Sequence, residues 1–195
     1  MQFNFNLENR KIYSYTAYRE LLDRLMVEGK TTGDDHSEDM IAYTKMNIVR
    51  MNRWDKTTRL SEELKILLQK VPKQKWLVLS EAWCGDAAQN VAVMHKMAVL
   101  NENIDLQIIL RDENLDIMDE YLTNGGRSIP KLIAMDEKNE VLFTWGPRPQ
   151  KMQDKVMELK RQEVPYAEEV HKMYAKDRAA SLQAEFIDIL SEILV

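Results

Sequence analysis

The sequence predicts an α/β fold with extra helices at both ends of the chain. Strand-like and helix-like segments alternate over residues 71–161 in the order β-α-β-α-β-β-α, which is typical of a sheet covered by helices. Residues 14–70 and 165–195, by contrast, show hydrophobic residues at helical spacing only. We therefore divide the 195-residue chain into a helical N-terminal extension (1–70), an α/β core (71–161) and a helical C-terminal extension (162–195) that packs on the core.

Three helices are predicted in the N-terminal extension. The first covers the segment SYTAYRELLDRL and ends before Gly29 and Gly33, which interrupt the helical pattern. Ser37 has the side chain of an N-cap, and a second helix is expected from there to about Trp54. Ser61 opens a third, shorter helix, SEELKILLQK, whose first turn carries acidic residues, as the helix dipole favours.

Four strands and three helices are predicted in the core. KWLVLS is a short and nearly continuous apolar run, as expected of a strand that is buried on both faces. NIDLQIILRD alternates apolar and polar residues, and IPKLIAM and EVLFTW are two strands joined by a polar turn. Two of the helices cover ENLDIMDEYL and residues 150–161, and the third follows the only cysteine. The apolar side of that third helix consists of Val91, Met94, Ala98 and Val99.

The C-terminal extension has two apolar faces at helical spacing. The first consists of Tyr166, Val170, Met173 and Tyr174, and the second of Leu182, Phe186, Ile189, Leu190 and Ile193. Such faces need a surface to cover, so we expect one or two helices that pack on the core rather than an independent domain.

Composition and charge exclude several classes of protein. The net charge is -5 and no long basic run occurs, so nucleic-acid binding is not expected as a main role. No apolar run approaches the length of a membrane span and the N-terminus lacks a signal-peptide pattern, so we expect a cytoplasmic protein without a membrane partner. One cysteine and three histidines show no metal-ligand spacing, and we expect neither a metal nor another cofactor.

Two motifs of the core stand out. SEAWCGDAAQN holds the only cysteine, Cys84, directly after the first strand, and RSIPKLI holds Pro130 before the third. Their order and spacing resemble those of the thioredoxin superfamily, in which W-C-G follows the central strand and a cis-proline lies against the thiol. The resemblance implies a thioredoxin-like fold, with a central mixed β-sheet flanked by helices, and a catalytic Cys84. It also implies that substrate is bound by Trp83, Gly85, Asp86, Ile129 and Pro130.

The sequence also departs from this superfamily pattern. The second cysteine of two-cysteine members falls at Ala87, the proline between the cysteines falls at Asp86, and a buried acid of the preceding strand falls at Val78. In two-cysteine members the second thiol resolves the mixed disulfide that the first one forms. The frame around the first thiol is therefore present, while the resolving thiol is absent.

The pKa of Cys84 is expected to be modestly lowered. In the first turn of a helix, unpaired backbone N–H groups and the helix dipole favour a thiolate. Asp86 and Glu81 oppose this effect by their charge, although Asp86 is also placed to cap the same N–H groups. No histidine is an obvious base, because His95 lies roughly 16 Å along the helix and His36 and His171 belong to the extensions.

Three functions follow from this pattern as hypotheses. The first is a thiol-redox protein in which Cys84 alone forms mixed disulfides with a protein client or a small glutathione-like thiol, with weak general disulfide reductase activity. The second is a non-catalytic module that binds peptides or proteins, with the Ile129 backbone groups free to pair with an extended chain. The third is a peroxidase, which SEAWC disfavours because it has an acid where such enzymes have Thr or Ser.

Overall fold

The computed structural model describes residues 2–194, and this part of the chain contains eight helices and four strands. The helices are α1 (Tyr15–Val27), α2 (Glu38–Thr57), α3 (Glu62–Lys70), α4 (Gly85–Ala98), α5 (Leu115–Glu120), α6 (Gln150–Arg161), α7 (Ala167–Asp177) and α8 (Ala180–Ile193). The strands are β1 (Gln74–Ser80), β2 (Ile104–Leu110), β3 (Lys131–Asp136) and β4 (Val141–Trp145). The predicted order of elements in the core is thereby confirmed.

The four strands form one mixed sheet in the order β2-β1-β3-β4. β1 runs parallel to β2 and antiparallel to β3, and β3 runs antiparallel to β4. The central position of β1 explains its apolar sequence, because side chains on both of its faces are excluded from water. Trp76, Leu77, Val78 and Leu79 are all fully buried. The predicted α/β class with a central mixed sheet is confirmed.

Both serines predicted to open helices do precede them, but only one forms a capping bond. Ser61 Oγ accepts the backbone N–H of Leu64 at 3.3 Å, whereas the side chain of Ser37 makes no such bond. One prediction in this part of the fold is wrong. Val99 was placed on the apolar side of α4, but that helix ends at Ala98 and Val99 is exposed.

The two C-terminal helices pack on different parts of the core. Helix α8 packs against the sheet through Phe186, whose ring centroid lies 5.5 Å from that of Trp76 and 5.9 Å from that of Trp145. Helix α7 packs instead on α6, where Val170 and Tyr174 join a small separate cluster of buried residues. This pairing brings α7 beside the N-terminal half of α4, which is the region that holds the only cysteine.

Candidate functional site around Cys84

Cys84 occupies the N-cap position of α4, at the end of the turn that follows β1. Its Sγ accepts the backbone N–H of Ala87 at 3.4 Å and donates to the carbonyl oxygen of Ile129 at 3.2 Å. The Ile129–Pro130 peptide bond is cis. The structure therefore brings Cys84 next to the segment of Ile129 and Pro130, although Ile129 is 45 positions away from Cys84 in the chain.

The Cys84 thiol is buried and protonated at neutral pH. The residue is 8% exposed, and burial, followed by the charge of Asp86, raises the pKa of its thiol to about 12. The expectation of a modestly lowered pKa is therefore wrong, since desolvation outweighs the hydrogen bonds from the first turn of α4. The expectation of a free Ile129 carbonyl is also wrong, because Cys84 donates its proton to this oxygen.

A close approach of two backbone segments holds the Ile129–Pro130 segment in place. Gly146 has a φ of +121°, and a Cβ atom at this position would lie 2.1 Å from the carbonyl oxygen of Pro130. Any other residue would therefore clash with backbone rather than with a movable side chain. This glycine lies directly after β4 and permits the contact.

Asp86 is part of a buried ion pair and does not cap α4. Its carboxylate accepts hydrogen bonds from Arg148 Nη2 at 2.5 Å and Nε at 3.0 Å, and from the Tyr174 hydroxyl at 2.8 Å. The side chains of Asp86 and Arg148 are each only 15% exposed. The predicted capping role of Asp86 is therefore wrong, because the carboxylate binds Arg148, before α6, and Tyr174, in α7.

Replacement of Tyr174 by phenylalanine is expected to lower the free energy of unfolding by about 2 kcal/mol, since a buried carboxylate loses a hydrogen bond. Asn90 also loses the hydroxyl to which its amide donates at 3.0 Å. Urea unfolding measures the effect, with Tyr43→Phe as the control because Tyr43 is 53% exposed. Equal stability of the two variants would contradict the structural role of this hydroxyl.

His171 lies beside the W-C-G-D turn, although from the sequence it was assigned only to the C-terminal extension and given no role. A Cβ atom on Gly85 would lie 2.7 Å from His171 Cε1, so the ring occupies the space that this glycine leaves open. Gln89 Oε1 accepts the indole N–H of Trp54, which leaves its amide nitrogen to donate to His171 Nδ1 at 3.0 Å. The proton of the neutral ring is therefore on Nε2.

Burial, followed by the charge of Arg50, lowers the pKa of His171 to about 4. His171 is thus a neutral hydrogen-bond donor at physiological pH. No pattern in the sequence pointed to this residue, because only the packing of α7 on α6 brings it to α4. The helical spacing of Val170 and Tyr174 identified the buried side of α7 and nothing more.

A cavity of about 330 Å³ opens beside the W-C-G-D turn. Three of the predicted binding residues, Trp83, Gly85 and Asp86, line it. Cys84, Ile129 and Pro130 are not among its lining residues. The other walls come from α2, from α6 with the segment before it, and from α7 with the segment before it. They consist of Met40, Tyr43, Arg50, Arg148, Val156, Tyr166, Ala167, Val170 and His171.

Trp83 is half-buried at the edge of this cavity and is covered by a cation. The guanidinium carbon of Arg111 lies 4.9 Å from the centroid of the Trp83 ring, and Arg111 also forms an ion pair with Asp112. Arg111 and Asp112, which follow β2, are therefore more than a solvated end of that strand. They hold the indole in position.

A second buried carboxyl group lies three residues before the thiol. Glu81 is 1% exposed, and its Oε1 accepts the backbone N–H of Asp112 at 2.9 Å. Its Oε2 is buried without a hydrogen-bond partner in the part of the chain that the structure describes. Burial raises the pKa of this carboxyl group to about 7.

No cluster of three or more His, Cys, Asp or Glu side chains within residues 2–194 has the arrangement of a metal site. No helix in this range combines the length and the apolar character that a membrane span requires.

Comparisons with known proteins agree with this architecture. A family model described as thioredoxin matches residues 33–176, and no curated protein matches the sequence. A crystal structure of an HIV epitope scaffold is similar, with a TM-score of 0.53, 20% identity, and coverage of 93% of this chain and 96% of that chain. A protein of unknown function from Pseudomonas aeruginosa is similar at a TM-score of 0.50 and 19% identity, over 93% of this chain and 95% of that one. At such identities the two structures support the fold alone, whereas the family model covers most of the sequence, and the chain therefore belongs to the thioredoxin family.

Proposed function

We propose that this protein is a thioredoxin-fold binding module that holds its ligand in the cavity beside the W-C-G-D turn. The observation that carries the proposal is the state of the thiol: Cys84 is buried, protonated and bonded to the Ile129 carbonyl. In this arrangement Cys84 acts as a structural hydrogen-bond donor that holds the turn against the Ile129–Pro130 segment.

Three features of the site oppose thiol exchange. The nucleophile in exchange is the thiolate, and a pKa of about 12 leaves very little of it at neutral pH. Ala87 stands where a resolving thiol would have to be. The Ile129 carbonyl, with which an extended substrate would pair, is already the acceptor of the Cys84 proton.

The cavity has the dimensions and the construction of a ligand site. Its volume of about 330 Å³ falls within the usual range of roughly 300–1,000 Å³ for small-molecule sites. Helices α2 and α7 supply two of its walls, so the extensions complete a site that the core alone would leave open. Both polar and apolar side chains line it, as is typical of sites that orient a ligand.

A panel of small fragments, mapped by NMR on the backbone amides, tests the proposal. We expect the fragments that bind to shift Trp83, Gly85 and Asp86 first, because these residues line the cavity. The same fragments should bind the Cys84→Ser variant equally well, since a serine hydroxyl also donates to the Ile129 carbonyl. Hits that map elsewhere, or that disappear with Cys84→Ser, would overturn the proposal.

The second candidate is thiol-redox activity by Cys84 alone, with a protein or a small glutathione-like thiol as client. It is favoured by one observation, the hydrogen bond from Ala87 N–H to Cys84 Sγ in the first turn of α4, which would stabilise a thiolate once the residue is exposed. With oxidised glutathione, Cys84 Sγ would form a bond to one glutathione sulfur while the other leaves as a thiolate. An adduct of the folded protein at neutral pH, seen by intact mass, would favour this candidate.

A further inference from the structure

We propose that the ligand of the cavity is a small organic monocarboxylate with an apolar body, whose carboxylate is bound by Arg50 and by the Nε2–H group of His171. This inference rests on the proposed function, because it names the ligand class of the same cavity. It assigns roles to two residues outside the W-C-G-D motif and the Ile129–Pro130 segment.

The first basis is a partly buried cation without a counter-ion. Within the described range, Arg50 makes no ion pair, and its guanidinium contacts only Asn47 Oδ1 at 2.7 Å and Met46 Sδ at 2.9 Å. Burial, followed by the charge of Arg53, lowers the pKa of Arg50, and the charge of Asp86 offsets these effects only in part. Arg148, the other arginine of the cavity, is already neutralised by Asp86.

The second basis is that two hydrogen-bond donors, from His171 and Arg50, lie close together beside Gly85. The position of a Cβ atom on Gly85 would be 2.8 Å from His171 Nε2 and 3.5 Å from Arg50 Nη1, so both groups lie against the same side of this residue. The bond from Gln89 fixes the proton of His171 on Nε2, and this N–H has no partner among residues 2–194. One cation and one neutral donor match the two oxygens and the single charge of a carboxylate.

The third basis is the apolar part of the cavity wall. Met40 and Tyr43 of α2, Val156 of α6 and Val170 of α7 all line the cavity. A bare inorganic anion would leave the parts of these side chains that face the cavity uncovered, whereas a hydrocarbon or aromatic body would cover them. The combination of a charged end and an apolar lining therefore favours an amphipathic ligand over a free phosphate.

Titration with 4-phenylbutyrate, followed by NMR and calorimetry, tests this inference. We expect it to shift the amides of Trp83 and Gly85 and to bind more tightly than its neutral analogue 4-phenylbutyramide. Arg50→Met should weaken binding of the carboxylate by at least about tenfold, because a charged hydrogen bond is lost. Arg50→Lys should retain part of the affinity. Lys45→Met, which removes an exposed charge from the same helix, should leave it unchanged.

The outcomes separate this inference from the function on which it rests. Equal binding of the amide and the carboxylate within the cavity, or full affinity in a folded Arg50→Met variant, would overturn the carboxylate assignment and leave the binding module intact. Shifts outside the cavity, or no binding of 4-phenylbutyrate, would overturn it as well. The fragment panel and the Cys84→Ser variant decide the proposed function independently.

Discussion

At pH 7, Cys84 of the folded protein is expected to react with iodoacetamide at about one thousandth of the rate of an ordinary exposed cysteine. Burial and the charge of Asp86 raise its pKa from 9.0 to about 12, and each pKa unit lowers the thiolate fraction tenfold. The hydrogen bond to the Ile129 carbonyl acts in the same direction, because the thiol must give up this acceptor before it reacts.

The rate is measured by intact mass, and a matched control gives the reference. In a Cys84→Ser background, Lys45→Cys provides a thiol on the exposed side of α2, in the same fold and at the same protein concentration. Unfolded in guanidinium, the wild-type protein should react as fast as this control. A native rate within a factor of about ten of the control would mean that Cys84 is accessible as a thiolate, and would favour the redox candidate.

The slow reaction would also explain why the site has a cysteine but no second thiol. A protonated cysteine is a small apolar side chain with one weak donor, which suits a buried contact with a backbone carbonyl. Its sulfur also accepts the N–H of Ala87. A single side chain therefore forms hydrogen bonds both with the backbone of α4 and with the Ile129–Pro130 segment. The W-C-G-D turn can thus be held against the Ile129–Pro130 segment even when thiol exchange at Cys84 is suppressed.

The sequence predicted the fold well because the relevant signals are local. The apolar run of β1, the serine before α3 and the apolar faces of α7 and α8 each depend on residues close together in the chain. The proximity of Cys84 to Ile129 came from the resemblance, since no local pattern joins them.

The rest of the site was not predictable from local patterns. Tyr174 is 88 residues from Asp86, and Arg148 is 62 residues from it, so their contacts depend on how α6 and α7 pair. The pKa of Cys84 was predicted in the wrong direction for the same reason. The position of Cys84 at the start of a helix, which lowers its pKa, can be predicted from the sequence. The burial that raises the pKa by more depends on elements distant in the chain.

Glu81 and His171 give the protein two opposite dependences of stability on pH. The carboxyl of Glu81 has a pKa of about 7 in the folded state and about 4.3 when unfolded, so the folded state binds more protons between these values. The free energy of unfolding therefore falls by about 3 kcal/mol as the pH rises through this range. His171 has a pKa of about 4 when folded and about 6.5 when unfolded, so its contribution rises with pH.

The two effects oppose each other below about pH 6.5, and the contribution of His171 is the smaller because its ring is only half-buried. Glu81→Gln removes one of them, since a glutamine can still accept the N–H of Asp112 but does not ionise. We expect the variant and the wild type to be equally stable near pH 4, and the variant to be more stable by up to about 3 kcal/mol at pH 8.

Urea unfolding of both proteins from pH 4 to pH 8 measures this difference directly. Glu102→Gln, which changes an exposed carboxyl group, is the control and should follow the wild-type curve. In Glu81→Gln the remaining dependence should be a rise in stability up to about pH 6.5, which is the contribution of His171. A constant difference between Glu81→Gln and the wild type at every pH would show that Glu81 has the same pKa in the folded and unfolded states, so that its carboxyl group is ionised at neutral pH in the folded protein. Its buried Oε2 would then have a polar partner, such as a water molecule, because an isolated charge at that position is too costly to persist.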